Sequence, residues 1–173
     1  MNDSNVKIGT LNKSTGNSAP DNEESGVAAS EDYAAEKSEF DLMLQERELF
    51  KAWNEVKTDI NEKNIVRNVK EGEIYWCSVG KNVGVEINGK HETFSRPVVI
   101  LKKLSRFGFM GVPLTSQEHV GNWYASFEFK DRTEYAVLAQ ARVFSVSRLG
   151  KRMGMLPESD LSVIKEAFRK LYF

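Results

Sequence analysis

The chain has 173 residues, 40% of them hydrophobic and 28% charged, which suits one globular domain with a solvated part. A single cysteine, Cys77, excludes an intramolecular disulfide and a cysteine-rich zinc site, and two histidines, His91 and His119, argue against an imidazole-based metal centre. No apolar run approaches the ~20 residues that span a bilayer, the first residues lack a signal-peptide pattern, and a reducing cytoplasm is the expected compartment.

The net charge of −1 conceals an asymmetry. Residues 1–69 carry 8 Lys/Arg and 14 Asp/Glu, a balance of −6, whereas residues 70–173 carry 16 and 11, a balance of +5. A basic working domain behind an acidic arm favours a polyanionic partner. The plainer reading is charge scattered over a solvated surface.

Residues 1–30 are rich in Asn, Ser, Gly and acids and hold almost no large apolar groups, so a disordered tail is expected. From Glu31 to about Asn61 the apolar residues Phe40, Met43, Leu44, Phe50, Trp53, Val56 and Ile60 recur at helical spacing without Gly or Pro. They predict an amphipathic helical extension over 31–69, its apolar face covering the domain's own core or meeting a partner.

A strand-rich region follows over 70–173. Glu71–Val79 reads as a strand, Gly80–Gly84 as a turn and Glu86–Ser95 as a polar loop holding Asn88-Gly89. Pro97–Lys102 is apolar on both faces and so central. Phe107–Leu114, Trp123–Phe129, Tyr135–Leu138 and Ala141–Val146 complete the strands, with a turn at Asp131-Arg132. Short strands without intervening helices predict a small barrel. Leu161, Ile164, Phe168 and Leu171 mark one face of a closing helix, with Pro157 placed for its first turn.

The chain contains no phosphate-cradling Gly-Lys-Ser/Thr loop, no dinucleotide-binding glycine pattern, no G-x-S-x-G and no H-E-x-x-H. What remains is a polar set at strand ends: Arg96, Thr115-Ser116-Gln117, Gln140 and Arg142. Each has a plain structural reading, as a surface arginine, a turn cap or a partner for backbone groups. Cys77, mid-strand, reads as a small core residue.

Taken in order, these pieces resemble PemK/MazF toxins. The resemblance is carried by Gly72-Glu73-Ile74-Tyr75-Trp76, Gly84-Val85-Glu86, Arg96-Pro97-Val98-Val99-Ile100 and Pro113-Leu114-Thr115-Ser116-Gln117. Leu138–Val143, Arg148-Leu149 and Met153–Leu156 continue it, and nothing in residues 1–69 belongs to it. It implies a mainly β protein with flanking helices, an SH3-like (plasmid-maintenance-toxin) small β-barrel with an N-terminal helical extension and a C-terminal helix.

It further implies a homodimeric toxin of a type II toxin-antitoxin system, an endoribonuclease that cleaves single-stranded RNA or mRNA without a metal or other cofactor. In that chemistry the 2′-hydroxyl attacks the adjacent phosphate, leaving a 2′,3′-cyclic phosphate and a 5′-hydroxyl. A cognate antitoxin is the expected protein partner. The alternatives are a non-catalytic toxin of the same fold that inhibits a protein such as gyrase, or a degenerate RNA-binding module.

By resemblance Arg96 and Thr115 take the catalytic positions, and Glu86 is a weaker catalytic candidate. Nine residues, Ile87 to Ser95, separate Glu86 from Arg96, a longer loop than the family's, which puts its reach in doubt. Ser116, Gln117, Gln140, Arg142, Trp123 and Lys102 are the RNA-binding candidates, since RNA needs donors, positive charge and aromatic faces. His91, on the long loop, is an acid/base candidate or a bystander.

Overall fold

A computed structural model describes residues 24–63 and 65–173, so the first 23 residues of the expected tail lie outside the described residues. The elements are α1 (Glu24–Glu62), β1 (Glu73–Ser78), β2 (Ser95–Lys103), β3 (Gly108–Thr115), β4 (Tyr124–Glu128), β5 (Thr133–Val137), β6 (Arg142–Ser145), β7 (Leu149–Met155) and α2 (Glu158–Tyr172). The chain divides between Met43 and Leu44 into two compact units, the second running from Leu44 to Phe173.

α1 starts at Glu24, seven residues before the expected Glu31, so that Glu24-Ser25-Gly26-Val27-Ala28-Ala29-Ser30 of the expected tail is helical. Of the predicted apolar stripe only Trp53 is buried; Phe50, Val56 and Ile60 are half-buried, and Phe40, Met43 and Leu44 are exposed.

All strand pairs are antiparallel, in the order β4-β5-β3-β2-β1-β7, with β6 also on β3. The mainly β domain with flanking helices is as expected, but the sheet is not closed: β4 and β7 end its main path, and β6, paired with β3 alone, is a further edge. β3 serves two partners on one side. Its first half, Gly108–Gly111, pairs with β6, and its end, Leu114-Thr115, pairs with β5, so the sheet divides along this strand.

β2 is central, as its two apolar faces predict. Val99 and Leu101 join a core with Ile74, Val112, Leu114, Leu161 and Ile164, over which α2 packs. Val98 and Ile100 join another with Tyr75, Cys77, Phe109, Phe144 and Leu149. Fully burying each such Val, Leu, Ile or Phe contributes about 1.5–3 kcal/mol. Cys77 is wholly buried, pairs in register with Arg96 of β2, and has its thiol pKa pushed up to about 12 by burial.

α2 begins after Pro157 and fits its dipole, with Glu158 and Asp160 in the first turn and Arg169 and Lys170 in the last. Glu73 is the buried charged residue among those described. Its carboxylate accepts bonds from the Lys70 backbone N–H (2.9 Å), Tyr75 Oη (3.3 Å) and Arg152 Nε (2.9 Å).

The segment between β1 and β2 is ordered by its own bonds. The Asn82 backbone N–H donates to Asn88 Oδ1 (2.6 Å), and Asn82 Nδ2 donates to the Ile87 carbonyl (2.7 Å), closing one turn. Lys90 and Ser95 then exchange backbone bonds and close a second, outer hairpin. Phe94 is buried at its foot, its ring 5.6 Å from that of Trp53. Gly80, at φ +106, accepts the Trp53 ring where a Cβ would lie 2.6 Å from it. Both facts tie the loop to the α1 residue that is buried.

Candidate functional site

Antiparallel pairing brings together residues far apart in sequence. Arg96 opens β2 and Thr115 closes β3, and because those strands run in opposite directions the two ends are neighbours. Both line a cavity of about 220 Å³, shared with Trp76, Lys90, His91, Ser116, Arg132 and Glu134. Trp76 stands on β1 opposite Pro97 and is 38% exposed.

Arg132 and Glu134 arrive from the hairpin between β4 and β5. Lys130 and Asp131 sit there at φ +53 and +59, and Phe129 and Arg132 exchange backbone bonds. Two successive left-handed residues make the tight turn whose twist suits a hairpin.

Arg96 is half-buried, and burial holds its guanidinium pKa below the ordinary value. Its Nε donates to the Asn88 carbonyl at 2.5 Å, which fixes the side chain against the loop. The remaining guanidinium nitrogens keep their donors for a ligand, and no carboxylate forms an ion pair with Arg96 among the described residues. Thr115 Oγ1 accepts from the Gln117 backbone N–H at 3.2 Å, so its own O–H is available to donate. Three cations (Lys90, Arg96, Arg132) thus face one carboxylate (Glu134) across a small polar cavity. Such a balance suits an anion.

An aromatic group adjoins it. Thr115 pairs with Tyr135 in register; His119 stacks on Tyr124 with ring centres 4.3 Å apart and meets Tyr135 edge-on at 6.5 Å. Trp123, beside Tyr124, is 60% exposed. Ser116 and Gln117 are exposed, and Ser116 lines the cavity.

Six sequence candidates do not line the cavity: Gln117 and Trp123, and also Lys102, Glu86, Gln140 and Arg142. Lys102 lies at the far end of β2, six residues from Arg96 and about 20 Å along a strand. Its ammonium pairs with Glu71 at 3.1 Å. Glu86 lines a separate cavity with Arg142 and Arg148, because the inner turn of the long loop carries it there. Gln140 holds that turn: its Nε2 donates to the Val85 carbonyl (3.2 Å) and its Oε1 accepts from the Ile87 N–H (3.1 Å). Both ends of the amide are engaged, the plain reading of this residue.

The long loop instead delivers His91. The outer hairpin places it in the Arg96 cavity at φ +59, where the sequence alone left it between acid/base and bystander. Trp76, Arg132 and Glu134 were not among the candidates; the strand alternation that exposes Trp76 was visible, but its neighbours were not. No group of three or more His, Cys, Asp or Glu side chains poised to hold a metal occurs among the described residues. No helix there is long and apolar enough to cross a membrane.

Residues 70–172 match the family model described as PemK-like, MazF-like toxin of type II toxin-antitoxin system. No curated protein sequence matches. Among solved structures, MazF from Deinococcus radiodurans (Form-I) is similar at 16% identity and TM-score 0.49, over 62% of this chain and 97% of that one. The Mycobacterium tuberculosis toxin MazF-mt6 is similar at 15% identity and TM-score 0.45, over 58% and 95%. A mycobacterial endoribonuclease in complex with its cognate antitoxin is similar at 16% identity and TM-score 0.46, over 60% and 93%. The family model spans more than half of the chain and reaches from before β1 to the end of α2: the chain belongs to the PemK-like, MazF-like toxins of type II toxin-antitoxin systems.

Proposed function

We propose that the chain is an endoribonuclease toxin that cleaves single-stranded RNA in the cavity of Arg96 and Thr115, and is neutralised in the cytoplasm by a cognate antitoxin. A homodimer is the assembly expected of the family. One observation carries the reading: two side chains from the ends of different strands line one small cavity with excess positive charge and two proton carriers, His91 and Glu134.

The step is a transesterification. The 2′-oxygen forms a bond to phosphorus, the bond from phosphorus to the 5′-oxygen breaks, one proton leaves the 2′-hydroxyl and one reaches the 5′-oxygen. Arg96 is assigned to the charge that gathers on the phosphoryl oxygens, because a guanidinium is a poor proton shuttle and a good planar donor. Thr115 donates its hydroxyl to a non-bridging oxygen. Glu134 is suited to accept the 2′-proton and His91 to supply the proton to the leaving oxygen. Ser116, Gln117 and Trp123 are assigned to the flanking nucleotides, with the exposed indole as a stacking face.

Incubation of the purified chain with a mixed RNA in EDTA, followed by mapping of the ends, tests the reading. The expected products carry 2′,3′-cyclic phosphate and 5′-hydroxyl ends at recurrent sites. Intact RNA, or cleavage that EDTA abolishes and that leaves 5′-phosphates, would rule it out.

A further inference from the structure

The cavity that holds Glu86 has a volume of about 310 Å³ and is strongly basic. Arg142 Nη2 donates to the Val79 carbonyl at 2.6 Å, and Arg148 Nη1 donates to the preceding carbonyl, that of Ser78, at 2.8 Å. Their guanidinium carbons lie 4.9 Å from the ring centre of Phe144 and 5.4 Å from that of Trp53. Each is therefore fixed by one bond and one ring, with further donors unspent. Lys57 reaches the same cavity from α1.

None of Lys57, Arg142 and Arg148 forms an ion pair with a carboxylate among the described residues, whereas Lys81 nearby is satisfied by Glu46 at 2.7 Å. Burial lowers the pKa of Arg148, and the charge of Arg142 acts in the same direction. Two like charges held side by side, half-buried and unpaired, are unfavourable unless an anion joins them.

The cavity is not isolated. A depression of about 480 Å³ shares Lys57 and Arg148 with it and is lined by the amides and hydroxyls of Asn54, Thr58, Asn61 and Ser147. In the other direction, a further depression shares Lys81 with the basic cavity and His91 with the cavity of Arg96 and Thr115. The surface thus offers one track from the proposed cleavage point to α1.

We infer that this track binds the RNA strand beyond the scissile phosphate, seating its phosphates on Arg142, Arg148 and Lys57, so that α1 extends the footprint of the toxin domain. This rests on the nuclease reading above. A phosphodiester strand fits better than a peptide because the ammonium, guanidinium, amide and hydroxyl donors repeat along the track and outnumber its two carboxylates, Glu86 and Glu92. α1 lies outside the segment that matches the family model, so this extension belongs to the present chain's own architecture.

The test uses the full chain and an uncleavable single-stranded oligoribonucleotide bearing 2′-O-methyl sugars, with affinity read by anisotropy at several salt concentrations. Lys57 and Asn61 are exposed, and neither side chain makes a hydrogen bond or ion pair among the described residues, so K57E and N61D leave the fold unchanged. K57E is expected to weaken binding about 5- to 10-fold and to lower the salt slope by about one, and N61D to act in the same direction more weakly. A parent that binds and cleaves RNA alongside a K57E of equal affinity overturns the inference alone. A parent that neither binds nor cleaves overturns both readings. Loss in K57E of binding to a polyglutamate peptide, with RNA affinity intact, makes the track a peptide site and also overturns it.

Discussion

Replacing Arg96 by alanine is expected to lower the rate of RNA cleavage by about 10²–10³-fold, the scale of removing one preorganised donor from a developing oxyanion. Arg96 is the half-buried cation of the cavity, fixed by a single bond from Nε to Asn88, with its other donors facing the space where a phosphate would sit. The same bond creates a competing explanation, since its loss also frees the loop that carries His91. Lysine at this position separates the two. It restores the charge without the fork and without a directional bond from Nε, so partial recovery identifies charge, and none identifies geometry. Single-turnover cleavage, with affinity for uncleavable RNA measured alongside, reads both. An Arg96→Ala chain as active as the parent would remove the nuclease assignment, as would an equally active Thr115→Ala.

The largest expected loss of stability comes from Trp53→Ala, about 3–5 kcal/mol. The indole is 6% exposed and fills the space over Gly80, with Phe94 on one side and Arg148 close to its ring. Truncation leaves a cavity that the Gly80 turn cannot close, because its left-handed backbone is fixed by the Phe94 carbonyl. At about 2–4 °C per kcal/mol for a chain of this size, the melting temperature should fall by roughly 10 °C. Thermal melts followed by near-ultraviolet dichroism measure it. A shift of only a degree or two would mean that α1 is held by other contacts. Because Phe94 anchors the hairpin of Lys90 and His91, activity should fall at temperatures well below the melt.

The sequence made the domain legible where periodicity and burial agree. The two apolar faces of β2 announced a central strand, and Leu161, Ile164, Phe168 and Leu171 announced the covered face of α2. β7 was not foreseen as a strand, because Gly150, Lys151, Arg152 and Gly154 blur its alternation at an edge where little needs burying. The stripe on α1 was real, but most of it is uncovered; periodicity reports a helix without reporting what lies against it. That β3 divides its length between β6 and β5, and that the sheet stays open, is encoded by no local pattern.

For the site, residue types alone left Arg96 and Thr115 with structural readings, and family resemblance singled them out. Pairing of β2 with β3 then placed them together. Arg132 and Glu134 were out of reach of that reasoning, since a turn of two left-handed residues decides where they go. The doubt over Glu86 had a physical basis. The extra loop residues form a second hairpin, and that hairpin, rather than the Glu86 turn, borders the Arg96 cavity.

Cys77 gives the chain a built-in witness to its own integrity. The thiol is sealed between the strands that set the register of Arg96, and with its pKa near 12 it stays protonated and inert at neutral pH. Alkylating reagents and mild oxidants therefore have nothing to attack while β1 and β2 remain zipped. As the only cysteine in the chain, it becomes labelled when those strands part, so the fraction modified in a brief pulse counts the molecules whose β1–β2 register has opened.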